Sequence, residues 1–236
     1  MMTTRELERA FRADAAALGV EGGREREVGD VFAQLREAYE DSARAYHSIE
    51  HITECLVLLD EVRSTLEAPS EVAMAIWFHD AVYETQPLAE SEERSAELAK
   101  TACARMGISE PAAKRIAAMV RATKSHELPP AGGSEGGEGG EDGEGGAAMR
   151  ERDARTLFDI DLAILGSDPV RYARFERDVR EEYRWVPEAL YRSERAKVLR
   201  KFSARPAIYK TPLFRERFEA QARVNLERAI AELTAE

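Results

Sequence analysis

Histidine and cysteine are scarce in this chain. Its 236 residues include 4 His and 2 Cys. The two cysteines, Cys55 and Cys103, are too few and too far apart for a disulfide framework or a zinc-ribbon pattern. Reduced thiols are typical of the cytoplasm, which we therefore expect as the location. Because the histidines are so few, the place of each one in the sequence is informative.

Long apolar runs are also missing. The first 20 residues mix charged residues with Ala and Leu, so they lack the uninterrupted apolar region of a secretory signal. Apolar stretches elsewhere, such as residues 73–78, are too short to cross a bilayer. We therefore expect no membrane span. A chain that is 44% apolar and 33% charged has the composition of a soluble globular protein.

The chain has no excess of basic residues. It carries 45 acidic against 34 basic side chains, a net charge of −11, which argues against a nucleic-acid polymer or an anionic membrane as its main partner. Residues 131–146 hold 9 of the 15 glycines and 5 of the acidic residues, so the rest of the chain carries only −6. This composition predicts a disordered, solvated Gly/Glu-rich loop over residues 131–148.

Helical periodicity dominates the remaining sequence. Val28, Phe32, Leu35 and Tyr39 recur at spacings of four, three and four, which places them on one face of a helix. Similar patterns predict helices over 6–18, 47–66, 71–83, 90–106, 109–124 and 154–165, and further helices begin near 168, 187 and 212. No run alternates over enough residues to predict a strand. The sequence therefore predicts an all-α fold.

Three short segments carry candidate chemistry. His47 and His51 are four residues apart, so on a helix they would share a face. His79-Asp80 closes an apolar helix, where unpaired polar side chains would cost several kcal/mol or so, and a metal ion would satisfy both. Asp161, in the segment FDIDL, has apolar neighbours on both sides, so we expect one acidic side chain of this segment to be drawn inward. Each feature alone is more often a surface coincidence, a helix cap or a salt bridge, but their combination on three predicted helices is more specific.

The order of these residues resembles the HD superfamily of metal-dependent phosphohydrolases. The pattern YHxxxH…HD…TKxH…D resembles an uncharacterised branch of that superfamily, and the resemblance covers roughly residues 30–230. One residue departs from the branch, because Ser48 stands where an Asn is expected. The segments that carry the resemblance are YHSIEH, WFHDAVYE, EERSA, ATKSH, DIDLAILG, REEY and RPAIYKT.

The resemblance implies a set of metal ligands and a proton donor. The ligands would be His51, His79, Asp80 and Asp161, with Asp80 also counted among the catalytic residues. His47 would protonate the leaving oxygen. Imidazole and carboxylate ligands together suit Mn, Zn, Fe, Ni or Co, and a bridging carboxylate would also allow Mg, at one or two ions per chain.

Other residues have weaker candidate roles. His126 and Glu93 occupy places in chain order comparable to second-metal ligands of two-metal HD proteins. The alternatives are a supporting or phosphate-contacting role for His126 and a surface salt bridge for Glu93. Lys124 and Arg44 are candidate phosphate contacts, although most such side chains are simply solvated. Cys55 would add a thiolate to the site or, more simply, pack in the core.

The implied ligands also bear on domain organisation. Asp161 follows the Gly/Glu-rich loop and the other ligands precede it, so one metal site needs both sides. We therefore predict a single-domain HD-type bundle of about 8–10 helices over residues 28–236, interrupted by the loop. Residues 1–27 would form an N-terminal helix and connection.

The resemblance implies that metal-activated water hydrolyses a small phosphorylated substrate. That substrate would be a phosphomonoester or phosphodiester, with a nucleotide as one option. Two alternatives share the same ligands: a di-iron HD-type oxygenase and a non-catalytic domain that senses a metal or a ligand.

Overall fold

The computed structural model describes residues 2–86, 90–128 and 144–235, with residues 144–150 described by their backbone alone. Within these ranges the chain forms ten α-helices and no strand, which confirms the predicted all-α fold. None of these helices combines the length and apolarity that crossing a bilayer requires. The helices are α1 (Thr4–Ala17), α2 (Glu25–Tyr39), α3 (Ile49–Val62), α4 (Pro69–Phe78), α5 (Ser91–Met106), α6 (Glu110–Ala122), α7 (Glu144–Asp161), α8 (Pro169–Glu182), α9 (Glu188–Ser203) and α10 (Pro212–Thr234).

Two helix boundaries beside the candidate site differ from the prediction. Helix α3 begins at Ile49, because Ser48 has an extended backbone (φ −113°, ψ 179°) that cannot continue a helix. His47 therefore lies in a turn before the helix and does not share its face with His51. Helix α4 ends at Phe78, and His79 is its C-terminal cap, so the predicted continuation to Tyr83 was wrong.

The third difference concerns the Gly/Glu-rich segment. Helix α7 begins at Glu144, ten residues before the predicted start, so the end of the predicted loop over 131–148 was placed too late. The rest of that predicted loop, residues 131–143, lies outside the described residues.

The chain divides into two compact units. The first comprises Met1–Asp41 and His47–Leu157, and the second comprises Ser42–Tyr46 and Phe158–Glu236. The prediction of a single domain, and of its start at residue 28, stays a prediction.

Helix α4 is the centre of the first unit. Residues 72–78 are all at most 1% exposed, and the helix packs against α1, α3, α5 and α6. Its Trp77 ring meets the rings of Phe11 and Phe32 edge-on, with centroids 5.6 and 5.7 Å away, a geometry that aromatic pairs favour. The Tyr39 hydroxyl donates to the Trp77 carbonyl at 3.0 Å. These contacts fix the C-terminal end of α4, which carries His79 and Asp80.

In the second unit, a buried aspartate fixes the start of α10. Asp159 is fully buried, and its carboxylate accepts hydrogen bonds from the backbone N–H groups of Lys210 (2.6 Å) and Thr211 (2.7 Å). The Thr211 hydroxyl donates to the same carboxylate at 2.7 Å. Burial raises the pKa of Asp159, and these hydrogen bonds partly oppose the rise. Since Thr211 immediately precedes α10, Asp159 sets where that helix begins.

A close backbone approach in the same unit requires a glycine. Gly166 ends the short 3-10 helix Leu162–Gly166 that follows α7. A Cβ at this position would lie 2.6 Å from both the Cβ and the carbonyl oxygen of Phe218, and 2.9 Å from the Tyr209 hydroxyl. Only a residue without a side chain lets α10 pack this closely on the turn.

Candidate metal centre

Two buried imidazoles meet where α3 begins and α4 ends. His51 lies in the first turn of α3, and His79 caps α4. Both residues are 2% exposed, and their Nε2 atoms are 3.2 Å apart. Two ring nitrogens at this separation in a buried site can serve one ligand or one ion.

The backbone of α4 selects the tautomer of His79. Its Nδ1 lies 2.8 Å from the carbonyl oxygen of Ile76. Because a carbonyl oxygen only accepts, Nδ1 must carry the hydrogen, so in the neutral ring Nε2 presents its lone pair. Metal-binding histidines almost always donate their other ring N–H to a carbonyl or carboxylate in this way, which fixes the orientation of the ring.

Asp80 adds a carboxylate to the two imidazoles. Its Oδ2 is 3.0 Å from His79 Nε2 and 3.9 Å from His51 Nε2, and its side chain is 19% exposed. A carboxylate oxygen and a ring lone pair repel each other at 3.0 Å unless a positive charge lies between them. Either a proton on Nε2 or a metal ion supplies that charge.

The spacing of these three atoms suits a metal ion. Ligand atoms about 2.0–2.2 Å from an ion lie roughly 2.9–3.5 Å from one another in tetrahedral or octahedral geometry. Two of the three separations, 3.2 and 3.0 Å, fall in this range, and the third, 3.9 Å, is slightly longer. The donor set of His51, His79 and Asp80 therefore fits a divalent transition metal.

Cys55 lies beside this group. Its buried sulfur is 3.7 Å from Nδ1 and 3.8 Å from Nε2 of His51. A sulfur nearly equidistant from both ring nitrogens packs alongside the imidazole and does not lie along either lone pair. This geometry favours the core-packing role over the thiolate ligand.

His47 stands next to the cluster and is stacked on an aromatic ring. Its ring centroid is 6.2 Å from that of His51 and 4.0 Å from that of Tyr83, with 26° between the His47 and Tyr83 planes. Sequence reasoning missed Tyr83, although it belongs to the WFHDAVYE segment. No pattern in the sequence pointed to this contact, because His47 and Tyr83 lie far apart in the chain and neither belongs to a helix.

Glu93 is engaged in a surface ion pair. Arg121 donates from Nε and Nη2 to the two carboxylate oxygens of Glu93, at 2.7 and 2.8 Å, and from Nη2 to Glu97 at 2.5 Å. The hydrogen bonds from Arg121 lower the pKa of Glu93. The structure thus matches the salt-bridge alternative for Glu93, and its role as a metal ligand stays a prediction.

We expect Glu93→Gln to leave bound metal unchanged and to lower the free energy of unfolding by less than about 1 kcal/mol, because exposed ion pairs contribute little. Because the pKa of Glu93 is lowered in the folded chain, this contribution is fully present above the ordinary pKa of Glu and is lost as the pH falls from there through the lowered pKa. Metal analysis, with thermal melts at neutral and acid pH, checks both statements. A fall in bound metal would make Glu93 a ligand after all.

His126 and Lys124 follow the end of α6. The backbone N–H of His126 donates to the Ala122 carbonyl at 2.9 Å, and its φ of 53° places it in the left-handed region that few non-glycine residues adopt. His126 is half-buried and Lys124 is exposed. Their roles as second-metal ligand and phosphate contact stay predictions.

Two site candidates, Asp161 and Arg44, belong to the second unit. Asp161 is the last residue of α7, and both side chains are half-buried. The expectation that one acidic side chain of this segment is drawn inward is confirmed by Asp159, which is fully buried. The roles of Asp161 as a ligand and of Arg44 as a phosphate contact stay predictions.

Comparisons with models of protein families, with curated proteins and with solved structures find no match to this chain. The HD resemblance therefore rests on the quoted residues, and membership of that superfamily stays a prediction.

Proposed function

We propose that this protein is a metal-dependent hydrolase of a small phosphorylated substrate. The observation that supports this most directly is the approach of the His51 and His79 Nε2 atoms to each other, at 3.2 Å, and to the Asp80 carboxylate. The order of these residues along the chain is the one the HD resemblance implies. That resemblance also implies Asp161 as a further ligand.

In this proposal each residue of the first unit has a distinct task. His51 and His79 would hold a divalent ion, and the Ile76 carbonyl orients His79. Asp80 contributes negative charge to the same site. A divalent ion held there would supply Lewis acidity, favouring deprotonation of water and neutralising phosphoryl charge. His47 would donate the proton that the leaving oxygen needs, a role worth about 10²–10⁴-fold in rate.

The proposed substrate is small and anionic. The net charge of −11 does not argue against an anionic substrate, since 5 of the acidic residues fall within 131–146. A phosphomonoester or phosphodiester, including a nucleotide, fits this chemistry.

We also propose a cytoplasmic location, because Cys55 and Cys103 are both buried thiols, which persist in a reducing compartment.

Metal analysis followed by a phosphoester panel tests the proposal. The purified chain should contain bound transition metal, and loading it with Mn²⁺, Zn²⁺, Fe²⁺, Ni²⁺, Co²⁺ or Mg²⁺ should give phosphate release that a chelator abolishes. Two irons per chain with oxygen consumption would instead select the di-iron oxygenase. A folded, metal-loaded chain that cleaves no phosphoester would overturn the hydrolase and favour a sensing role.

A further inference from the structure

His47 is not held by a helix. It lies in a turn before α3, and the following residue, Ser48, is extended and makes no side-chain cap hydrogen bond. A proton donor must nevertheless reach its acceptor within about 2.6–3.2 Å. The Tyr83 ring lies almost parallel to the His47 ring, with centroids 4.0 Å apart, and so restricts the rotation of the imidazole.

Tyr83 is itself held firmly on both sides along the chain. The Ser95 hydroxyl, fully buried on α5, accepts from the Val82 N–H at 3.0 Å and donates to the Val82 carbonyl at 3.2 Å. The Ser91 hydroxyl, at the start of α5, accepts from the Glu84 N–H at 3.1 Å. The two residues that flank Tyr83 are thus tied to the same helix. The Tyr83 ring therefore presents a fixed flat surface to His47.

We propose that Tyr83 is a positioning residue for His47, holding the imidazole where it can protonate the leaving oxygen. This inference rests on the proposed function. Holding a donor in its productive geometry removes rotational freedom before the reaction begins, and small misplacements lose much of the rate. The contact with His47 is made by the face of the ring. Tyr83→Phe should therefore still hold the imidazole, and an aliphatic residue at position 83 should not.

Two substrates that differ in their leaving group test this role. Phenyl phosphate has a basic leaving oxygen that needs a proton, whereas 4-nitrophenyl phosphate has an acidic one that needs little help. We expect Tyr83→Leu to lower kcat on phenyl phosphate at least about tenfold, with KM nearly unchanged, and on 4-nitrophenyl phosphate by less than about threefold. Tyr83→Phe should retain the wild-type rates, and His47→Ala should show the same leaving-group pattern as Tyr83→Leu, more strongly.

The outcomes separate this role from the proposed function. Suppose that the wild type is active and that Tyr83→Leu lowers kcat equally on both substrates, or on neither. That result would overturn the positioning role alone. A Tyr83→Phe variant as impaired as Tyr83→Leu would do the same, because it would assign the effect to the hydroxyl. If the wild type cleaves only diesters, the methyl phenyl and methyl 4-nitrophenyl phosphodiesters replace this pair, with the same expected pattern. Wild-type protein that hydrolyses neither pair with any metal would overturn the proposed function, and the role of Tyr83 with it. Metal content measured for each variant shows that the candidate site is intact.

Discussion

Asp80→Asn should lower metal-dependent phosphate release by about a thousandfold or more, because a catalytic metal supplies several kcal/mol of stabilisation and each 1.4 kcal/mol or so is tenfold in rate. The amide keeps the size of the side chain but removes the charge that lies 3.0 Å from His79 Nε2. We also expect metal affinity to fall by more than the roughly 10–100-fold that loss of a supporting contact costs. Titration with Mn²⁺ or Zn²⁺, followed by a phosphate assay, measures both changes.

Glu84→Gln is the matched control for Asp80→Asn. Glu84 lies four residues further along the chain, is exposed, and pairs with Arg94. The same acid-to-amide change there should leave metal binding and phosphate release as in the wild type. An Asp80→Asn protein that binds metal and releases phosphate like the Glu84→Gln protein would remove Asp80 from the site. Asp80 is a better position for this test than His79. The His79 ring also hydrogen-bonds a carbonyl at the end of α4, so replacing it would disturb the helix as well as the site.

Asp159→Ala should lower the free energy of unfolding by roughly 3 kcal/mol or more, because it leaves the donors of Lys210 and Thr211 without their acceptor. Each buried group that loses its partner costs about 1–3 kcal/mol. Chemical denaturation followed by circular dichroism measures this loss. The second unit, which contains α10, should lose its structure first.

Asp161→Ala is the matched variant for Asp159→Ala, since it removes a carboxylate only two residues away. Asp161 is half-buried, so we expect a smaller loss of stability than at position 159. If the implied ligand role is right, Asp161→Ala should lower bound metal while the protein stays folded. Equal destabilisation by the two variants would contradict the assignment of Asp159 as the residue that holds the start of α10.

The fold was predictable because the apolar residues of its helices recur with helical periodicity. Helices α5 and α6 were placed almost to the residue, and the left-handed Gly107 (φ 84°) ends α5 where the sequence predicts. The start of α3 after Ser48 was missed, although Ser is a common N-cap residue, because the spacing of His47 and His51 favoured a helix that runs through it. The end of α4 was missed for a similar reason, because the apolar residues continue past it to Ala81 and Val82.

The candidate site was predictable in its residue types and only partly in its geometry. The sequence singled out His51, His79 and Asp80, which the structure brings together. Residues two apart on a helix point in different directions, so only one of Asp159 and Asp161 can face the core fully. The sequence could not tell which, because both have apolar neighbours. The contact of Tyr83 with His47 could not be predicted either, since it joins segments that are distant in sequence.

Gly166 has a consequence for how variant libraries of this chain should be interpreted. Even alanine there would collide with the backbone of Phe218, so every substitution should reduce the amount of folded protein. A saturation scan scored by activity would therefore deplete position 166 as strongly as position 80. Scoring the same library for abundance as well as activity separates the two positions. Variants at Gly166 should lose both abundance and activity, whereas variants at Asp80 should lose mainly activity.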